Sequence, residues 1–299
     1  MSGNLLAAAV AWVFLPAGAF WGNVTGDHGK VLVWGYATKG NECVVLTVDP
    51  RSRHSSLAGR ICAETTSLLT PDVGESTVRV GGRLAFRYSD ASDTKVTWAY
   101  GGGSLWVYDV ATSDGPVLFR YSLRTARLQQ RVRFPRLFKP VLAADDAGAW
   151  LMANPSGGVS GERSASLYYV SPHAKRPRVV QRGARAALWM TGHRTTLWLE
   201  TVTGFHVFRL WRYDGTHGRL LWTRSRSTLD GASYGDGALW SASAPYCGTR
   251  VRALRIDASS GAERVVANVP LLDCNQVGAG AYYRGWFWFV DGNRLYRVR

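Results

Sequence analysis

The sequence predicts an all-β fold, and both its composition and its internal repetition indicate this. The chain has 299 residues, of which 46% are hydrophobic and 19% charged, so it is neither a disordered chain nor a polytopic membrane protein. It contains 33 Gly and 13 Trp but only 3 Met. Gly, Trp and the aromatic and β-branched residues favour tight turns and strands, whereas long helices favour Ala, Leu, Glu, Lys and Met. The composition therefore argues against a helical bundle.

A tryptophan recurs at a nearly constant interval through the last two thirds of the chain. The recurring residues are Trp106, Trp150, Trp198, Trp240 and Trp288, which gives a period of about 45 residues. A short alternating apolar run follows each of them and ends near residues 121, 170, 213, 256 and 298, with the same period. Two independent markers with one period indicate a repeated structural unit.

Each unit has the pattern of four short strands. In the unit at 232–270 we expect strands at 232–234, 238–241, 251–257 and 263–269, because Gly, Asp, Ser and Pro punctuate the apolar runs. Four strands in 40 to 50 residues are typical of a β-propeller blade. We therefore predict an all-β protein, a β-propeller of four-stranded antiparallel blades. Six blades is the favoured count and seven is the alternative.

The repeat resembles a known group. The segments 237–240, 251–258 and 261–270 resemble the YVTN-type repeat of surface-layer and virginiamycin B lyase-like propellers, and the resemblance covers about five repeats, residues 96–299. It implies a propeller, but not one function, because that superfamily includes binding modules, lyases and hydrolases. The lyase-like enzymes carry a His-x-Glu element, a second His and a magnesium ion. No His in this sequence is followed two residues later by Glu.

The first residues allow two interpretations. Residues 5–19 form an apolar run with small residues at 17–19, which resembles a secretory signal peptide or a membrane anchor. Residues 13–16 also resemble the fourth-strand ending at 267–270, so residues 1–22 could instead contain a strand that closes the ring of blades. Residues 23–299 are expected to form a single propeller domain, with an insertion or a degraded blade at 65–95.

The cysteines show no C-x-x-C pair and no metal-ligand spacing. Cys43 and Cys62 are nearly symmetric about a turn at 49–54, and Cys247 and Cys274 about a turn at 259–261. We predict the disulfides Cys43–Cys62 and Cys247–Cys274, each stabilising by about 3 kcal/mol, with four buried free thiols as the alternative. Disulfides form in oxidising compartments, so the predicted location is extracytoplasmic, either secreted or membrane-anchored.

The formal net charge is +15, and 31 of the 36 basic residues are arginine. The arginines are dispersed without a run of five or six, so a nucleic-acid partner is not expected. An arginine recurs in the third strand, at Arg120, Arg212, Arg255 and Arg297, where we expect ion pairs on the surface or between blades. The tryptophan of each unit is expected to pack between neighbouring blades.

Catalytic patterns are missing from the sequence. It has no H-x-x-H or H-E-x-x-H and no P-loop. The pairs Asp145-Asp146 and His193-Arg194 have the composition of turns between strands. We therefore predict no catalytic residue, no cofactor and no metal site.

The loops between second and third strands are long, and with the loops between blades they are expected to form the functional face. Its candidate ligand-binding residues are Arg136, Lys139, Glu162, Arg163, Arg185, Glu200, His206, Arg226, Asp230 and Asp273. Arginine suits carboxylate and phosphate groups. The predicted function is a non-catalytic extracytoplasmic binding module for an anionic glycan, an envelope polymer or a protein partner, with an N-terminal membrane tether as an option. The alternative is a metal-assisted lyase or hydrolase acting at the axial channel.

Overall fold

A computed structural model describes most of the chain. The described residues are 10–17, 19–27, 30–37, 43–51, 55–59, 77–80, 83–87, 96–110, 112, 114–122, 124–154, 165–184, 186–204, 207–226, 229, 231–244, 248–273, 277 and 280–299. The regular secondary structure within these ranges consists of strands. None of these residues belongs to a helix long and apolar enough to cross a membrane.

The strands are numbered in chain order. The first thirteen are β1 (Ala11–Phe14), β2 (Ala19–Asp27), β3 (Lys30–Ala37), β4 (Cys43–Val48), β5 (Ser55–Gly59), β6 (Thr77–Val80), β7 (Arg83–Arg87), β8 (Val96–Gly101), β9 (Ser104–Asp109), β10 (Val117–Ser122), β11 (Leu128–Arg133), β12 (Phe138–Asp145) and β13 (Gly148–Asn154). The others are β14 (Ala165–Val170), β15 (Arg178–Ala184), β16 (Ala187–His193), β17 (Thr196–Gly204), β18 (Val207–Asp214), β19 (Arg219–Arg226), β20 (Ser233–Gly235), β21 (Ala238–Ser243), β22 (Arg250–Asp257), β23 (Glu263–Pro270), β24 (Ala281–Tyr283), β25 (Trp286–Asp291) and β26 (Arg294–Val298).

The chain divides into two compact units. The unit of residues 61–228 contains three four-stranded antiparallel sheets, β8–β11, β12–β15 and β16–β19, each ordered as in the sequence. The first strand of the middle sheet, β12, packs against both β8 and β16, so the three sheets follow one another as successive blades. The same unit contains a two-stranded hairpin, β6–β7, within the segment predicted as an insertion or degraded blade; the rest of residues 65–95 lies outside the described ranges.

The second unit joins the two ends of the chain, residues 1–60 and 229–299. Its sheets are β2–β5, β20–β23 and a sheet of order β1-β26-β25-β24. β1 is therefore the outermost strand of a sheet whose other three strands come from the opposite end of the sequence, and it pairs antiparallel with β26 from Ala11 opposite Arg297 to Phe14 opposite Arg294. Among the described residues there are six four-stranded sheets, which agrees with the favoured blade count.

The expected strand pattern of the unit at 232–270 is confirmed within one or two residues at each end by β20, β21, β22 and β23. The turn between β20 and β21 contains Asp236 and Gly237, both with positive φ. The turn between β22 and β23 is held by Asp257, whose Oδ1 accepts the backbone N–H groups of Ser259 and Ser260 at 3.0 and 2.8 Å. Small polar residues thus supply the hydrogen bonds that a reversal of the chain requires.

The repeated tryptophans are buried, as the sequence predicts. Trp106, Trp150, Trp198, Trp240 and Trp288 are each at most 3% exposed. Four apolar cores lie between adjacent sheets, two in each unit, and they contain most of the buried aromatic side chains. Trp150 belongs to the core between sheets β12–β15 and β16–β19, and Trp240 to the core between β20–β23 and the sheet that contains β1. Packing between blades is therefore the shared role of these two tryptophans.

The repeated arginines contact the repeated tryptophans. Each arginine lies directly opposite a tryptophan on the neighbouring second strand, and its guanidinium carbon is 5.3 to 5.9 Å from the centre of that indole ring. The pairs are Arg120–Trp106, Arg212–Trp198, Arg255–Trp240 and Arg297–Trp288. The contact that the column shares is thus a cation–π contact, where the sequence suggested ion pairs.

The predicted disulfides fall largely outside the described residues. Cys62, Cys247 and Cys274 are not described, and Cys43 is described only as the first backbone position of β4. No disulfide occurs among the residues that are described. The hairpins β4–β5 and β22–β23, about whose turns the two pairs are symmetric, are both present. The two disulfides therefore stay a prediction.

Candidate functional site

Two predicted site residues, Arg136 and Asp273, lie on segments that connect one sheet to the next. Arg136 is exposed between β11 and β12, in a segment fixed on both sides by Tyr108. The Tyr108 hydroxyl accepts the N–H of Leu137 at 3.0 Å and donates to the carbonyl oxygen of Pro135 at 3.2 Å. Burial raises the pKa of Tyr108 to about 12, so the hydroxyl keeps its proton at any physiological pH.

Asp273 is half-buried in the corresponding segment after β23. Its backbone N–H, like that of Leu272, donates to the carboxylate of Asp291, at 3.1 and 2.9 Å. Asp291 is fully buried at the end of β25, and burial raises its pKa. Ser241 holds the segment before β20 in a similar way, because its hydroxyl donates to the carbonyl oxygen of Gly231 at 2.7 Å. Buried polar side chains on second strands thus position the connecting segments.

Glu200 does not lie on a solvent-facing loop. It is 0% exposed in β17, and one of its carboxylate oxygens accepts the indole N–H of Trp189 at 3.0 Å. Its neighbour Thr201 is 2% exposed and accepts the indole N–H of Trp211 at 2.8 Å. Both side chains accept hydrogen bonds from partly buried indoles, so their visible role is structural.

The other predicted site residues carry no described side chain. Lys139 and Arg226 are backbone positions of β12 and β19, and Glu162, Arg163, Arg185, His206 and Asp230 lie outside the described ranges. Consequently the arginine-rich loop face stays a prediction.

One cavity lies between the sheets β12–β15 and β16–β19. It has a volume of about 230 Å³ and is lined by Met152, Gln181, Gly183, Ala184, Leu199, Thr201, Trp211 and Tyr213. The rings of Trp211 and Tyr213 are nearly parallel, with centroids 6.3 Å apart. Arg185 follows directly after Ala184 in the chain. No charged side chain is among the lining residues.

A second cavity has a different character. It lies between the sheet β2–β5 and the sheet that contains β1, has a volume of about 370 Å³, and is lined by Pro50, Arg51, Arg284, Trp286 and Arg297. Three of its five lining residues are arginines, and the other two are Trp286 and Pro50, so none is acidic. We refer to this cavity as the basic pocket.

Each arginine of the basic pocket comes from a different element. Arg51 is exposed in the turn between β4 and β5, where its backbone N–H donates to Oδ1 of Asp49 at 2.7 Å. Arg284 is exposed in the turn between β24 and β25, with φ of 51° and Gly285 after it at φ of 80°. Two successive residues with positive φ are typical of the tight turns that join antiparallel strands. Arg297 lies on β26, with its side chain partly buried.

Aromatic rings order the guanidinium groups of this region. Arg297 lies 4.6 Å from the ring centre of Trp286 and donates from Nη1 to the carbonyl oxygen of Pro50 at 2.7 Å. Arg299 lies 5.9 Å from the same ring, and Arg284 lies 5.7 Å from the ring of Tyr283. Three guanidinium groups thus lie against two aromatic side chains, Trp286 and Tyr283.

The turn with Asp145 and Asp146 has the structural role that the sequence suggests. Asp145 accepts the backbone N–H groups of Ala147 and Gly148 at 2.7 and 3.3 Å. Burial raises the pKa of Asp145 to about 6, and Asp146 also raises it, while the two N–H groups act in the opposite direction. Within the described part of the chain, no group of three or more His, Cys, Asp or Glu is placed to hold a metal ion.

The lining of the basic pocket has the chemistry of an anion-binding site. Guanidinium groups donate paired hydrogen bonds to carboxylate and phosphate oxygens and keep their charge at all physiological pH values. The lining contains no hydroxyl, thiol, imidazole or carboxylate side chain that could act as a nucleophile or a proton carrier. Sequence reasoning missed this site because it looked to the loops between second and third strands, whereas Arg51 and Arg284 belong to short hairpin turns.

Comparison with known proteins supports the fold and nothing more specific. No family model matches the chain, and no curated protein matches it. A chain of a mitotic checkpoint complex structure has 10% identity and a TM-score of 0.64, with coverage of 97% of this chain and 90% of that one. The β-propeller domain of the Trilobed protease from Pyrococcus furiosus has 9% identity and a TM-score of 0.60, with coverage of 96% and 94%. An uncharacterized protein from Listeria monocytogenes has 8% identity, a TM-score of 0.54, and coverage of 94% and 92%.

These likenesses, with the four-stranded antiparallel sheets, confirm the predicted fold class. The chain is a β-propeller protein.

Proposed function

We propose that this protein is a non-catalytic binding module whose anionic ligand binds in the basic pocket. The observation that carries the proposal is the set of three arginines, Arg51, Arg284 and Arg297, around one cavity without an acidic lining residue. Like charges repel one another, so this arrangement is most favourable when an anion occupies the space between them. An anionic glycan or an anionic envelope polymer has the required chemistry.

The rigidity of the propeller supports this use. Trp288 is buried in the core beneath the pocket, while Trp286 and Arg297 lie on paired strands of the same sheet. A site on strands and tight turns keeps its geometry better than one on long loops. The predicted loop face, with Arg163, Arg185 and Arg226, is the competing location for the same function.

We also propose an extracytoplasmic location, supported by the predicted disulfides Cys43–Cys62 and Cys247–Cys274. Because Ala11–Phe14 pairs with β26, cleavage after residue 19 would remove the outermost strand of that sheet. The proposal therefore keeps these residues in the exported protein. The resemblance to YVTN-type repeats agrees with an exported propeller and remains a proposal, since no family model matches.

Calorimetry with the full chain tests the location of the site. The probes are sodium polyphosphate and polygalacturonate, each titrated at low ionic strength with and without EDTA. We expect the double variant Arg51→Gln, Arg284→Asn to weaken binding at least tenfold, because each arginine contributes a charge-assisted contact. The matched triple variant, Arg163→Ala, Arg185→Ala and Arg226→Ala, should retain most of the affinity.

If the triple variant loses affinity and the double variant keeps it, the binding site is the loop face. Binding of neither probe would refute the binding proposal, and turnover of a probe that EDTA abolishes would favour the lyase or hydrolase alternative.

A further inference from the structure

We infer that the basic pocket selects a phosphate monoester in its dianionic form over singly charged anions. This inference rests on the proposed function, because it names the ligand chemistry of the same pocket. It is carried by the number of guanidinium groups, by their ordering on aromatic rings and by the volume of the cavity.

The charge of the lining favours a dianion. A carboxylate or a phosphodiester brings one negative charge to three lining guanidinium groups, whereas a dianion brings two. Arg299 adds a fourth guanidinium beside Trp286, and Asp49 accepts the backbone N–H of Arg51. A phosphate monoester carries a charge between −1.5 and −2 at neutral pH, so it compensates more of this positive charge.

The number of acceptor atoms points to the same group. A terminal phosphate presents three oxygens on one tetrahedral centre, so guanidinium groups that approach from three elements can each meet an oxygen. Arg51, Arg284 and Arg297 come from the β4–β5 turn, the β24–β25 turn and β26 respectively. A carboxylate has two oxygens in one plane, and a phosphodiester has two free oxygens, so neither offers three acceptors.

Two of the three lining arginines, Arg297 and Arg284, are ordered before a ligand arrives. Arg297 is held by Trp286 on one side and by the carbonyl oxygen of Pro50 on the other, and Arg284 lies over Tyr283. Fixing a long side chain before binding reduces the entropy lost when the ligand binds. The cavity, at about 370 Å³, has room for a phosphate group with part of the molecule that carries it.

Calorimetry with small anions tests the inference. At pH 7.5 and low ionic strength, the wild-type chain is titrated with glycerol phosphate, inorganic phosphate, dimethyl phosphate and acetate. We expect glycerol phosphate to bind at least tenfold more tightly than dimethyl phosphate or acetate. Inorganic phosphate shows whether the pocket needs an ester or only the phosphate group. We expect inorganic phosphate and glycerol phosphate to bind with affinities within a few-fold of each other, because the recognised group is the phosphate itself.

The pH dependence gives a second readout. Because the second ionisation of a phosphate monoester has a pKa near 6, its affinity should rise by about tenfold between pH 5 and pH 7.5. Inorganic sulfate stays doubly charged over this range, so its affinity should stay constant and it controls for titration of the protein. Among the residues that the structure describes, the charged side chains at the pocket are Arg51, Arg284, Arg297 and Arg299, together with Asp49 beside Arg51.

A matched pair of variants links the preference to the pocket. Arg284→Asn removes a guanidinium and keeps a residue that tolerates positive φ, and Arg194→Asn makes the same change at φ of 56° in the turn between β16 and β17, in the other unit. We expect Arg284→Asn to lower the affinity for glycerol phosphate at least fivefold and to reduce its advantage over acetate. Arg194→Asn should change neither, and the melting temperatures of both variants show whether the fold is retained.

Three outcomes would overturn the inference. One is equal affinity for glycerol phosphate, dimethyl phosphate and acetate, another is an affinity for glycerol phosphate that ignores pH, and the third is equal effects of the two variants. If one of these outcomes is found but the binding of polyphosphate or polygalacturonate still depends on Arg51 and Arg284, the proposed function stands and only the preference for a phosphate monoester is wrong. If no anion binds at all, both fail together.

Discussion

Replacing Trp150 by alanine should remove a large part of the stability of the unit of residues 61–228. Trp150 is 0% exposed, its indole N–H donates to the carbonyl oxygen of Gly215 at 2.9 Å, and its ring centre lies 5.4 Å from that of Tyr169. Truncation of a buried tryptophan to alanine costs about 3–5 kcal/mol. The lost hydrogen bond places this residue at the upper end of that range. Since domains are stable by about 5–15 kcal/mol, the effect should be easy to measure.

Two glycines show that the indole fills its space closely. A β-carbon added to Gly192 would lie 2.6 Å from the Trp150 ring, and one added to Gly215 would also overlap with the indole. Gly192→Ala should therefore cost about 1–3 kcal/mol through overpacking in the wild-type chain. In the Trp150→Ala background the same change should cost almost nothing, because the methyl group then enters vacated space.

Urea denaturation of the four chains in this double-mutant cycle, followed by fluorescence and circular dichroism, measures both effects. Trp12→Ala is the control, because Trp12 is 42% exposed on β1 and its loss should cost less than about 1 kcal/mol. If Trp150→Ala does not refold, Trp150→Phe replaces it in the cycle. Additive effects of the Trp150 and Gly192 changes, or a Trp150 variant as stable as the control, would refute the packing argument.

Three further predictions concern other parts of the chain. Arg255→Met should lower the free energy of unfolding by about 0.5–1 kcal/mol more than Arg252→Met on the same strand, measured by urea denaturation, because Arg255 lies over Trp240. Burial raises the pKa of Asp145 to about 6, so the folded state holds this proton above the pH at which the unfolded chain releases it. The contribution of Asp145 to stability should therefore be present below about pH 4 and be lost as the pH rises towards 6. Unfolding curves at pH 4 and pH 7 measure this loss. In Asp145→Asn the difference in the free energy of unfolding between the two pH values should be smaller by about 1 kcal/mol, after solvent screening. Thiol titration of the unfolded, unreduced protein should find no reactive thiol, and four thiols would contradict the disulfides and weaken the extracytoplasmic proposal.

The architecture could be predicted because its signals are local and repeated. The turn at residues 235–237 joins β20 to β21, and the apolar alternation of residues 251–257 belongs to β22, which pairs with β21, so short segments of the sequence indicate strand type and pairing directly. The repetition of tryptophan at one strand position indicates burial without knowledge of its neighbours, and Trp106 and Trp240 are buried accordingly.

Side-chain contacts between paired strands were harder to predict. The cation–π pair of Arg255 and Trp240 follows from strand register, since the two residues lie directly opposite each other. The register of β21 with β22 could be counted from the turn at 235–237 and from the loop between these two strands, but only after the ends of both strands are known. The burial of Glu200 was missed because a glutamate at the end of an apolar strand has the pattern of a loop residue, although an indole partner makes burial tolerable.

The basic pocket depends on an arrangement that no local pattern contains. Arg51 lies more than 230 positions before Arg284 and Arg297 in the sequence, and they meet because the sheet β2–β5 packs against the sheet that contains β24 to β26. β1 belongs to that second sheet and leads directly towards β2, so the first strand of the chain connects the two sheets that form the pocket. A chain truncated before Ala19 would lose this connection, and its remaining edge strand, β26, carries both Arg294 and Arg297. If the pocket binds anions as proposed, removal of residues 1–18 should weaken phosphate binding as well as stability, whereas a merely dispensable leader would leave both unchanged.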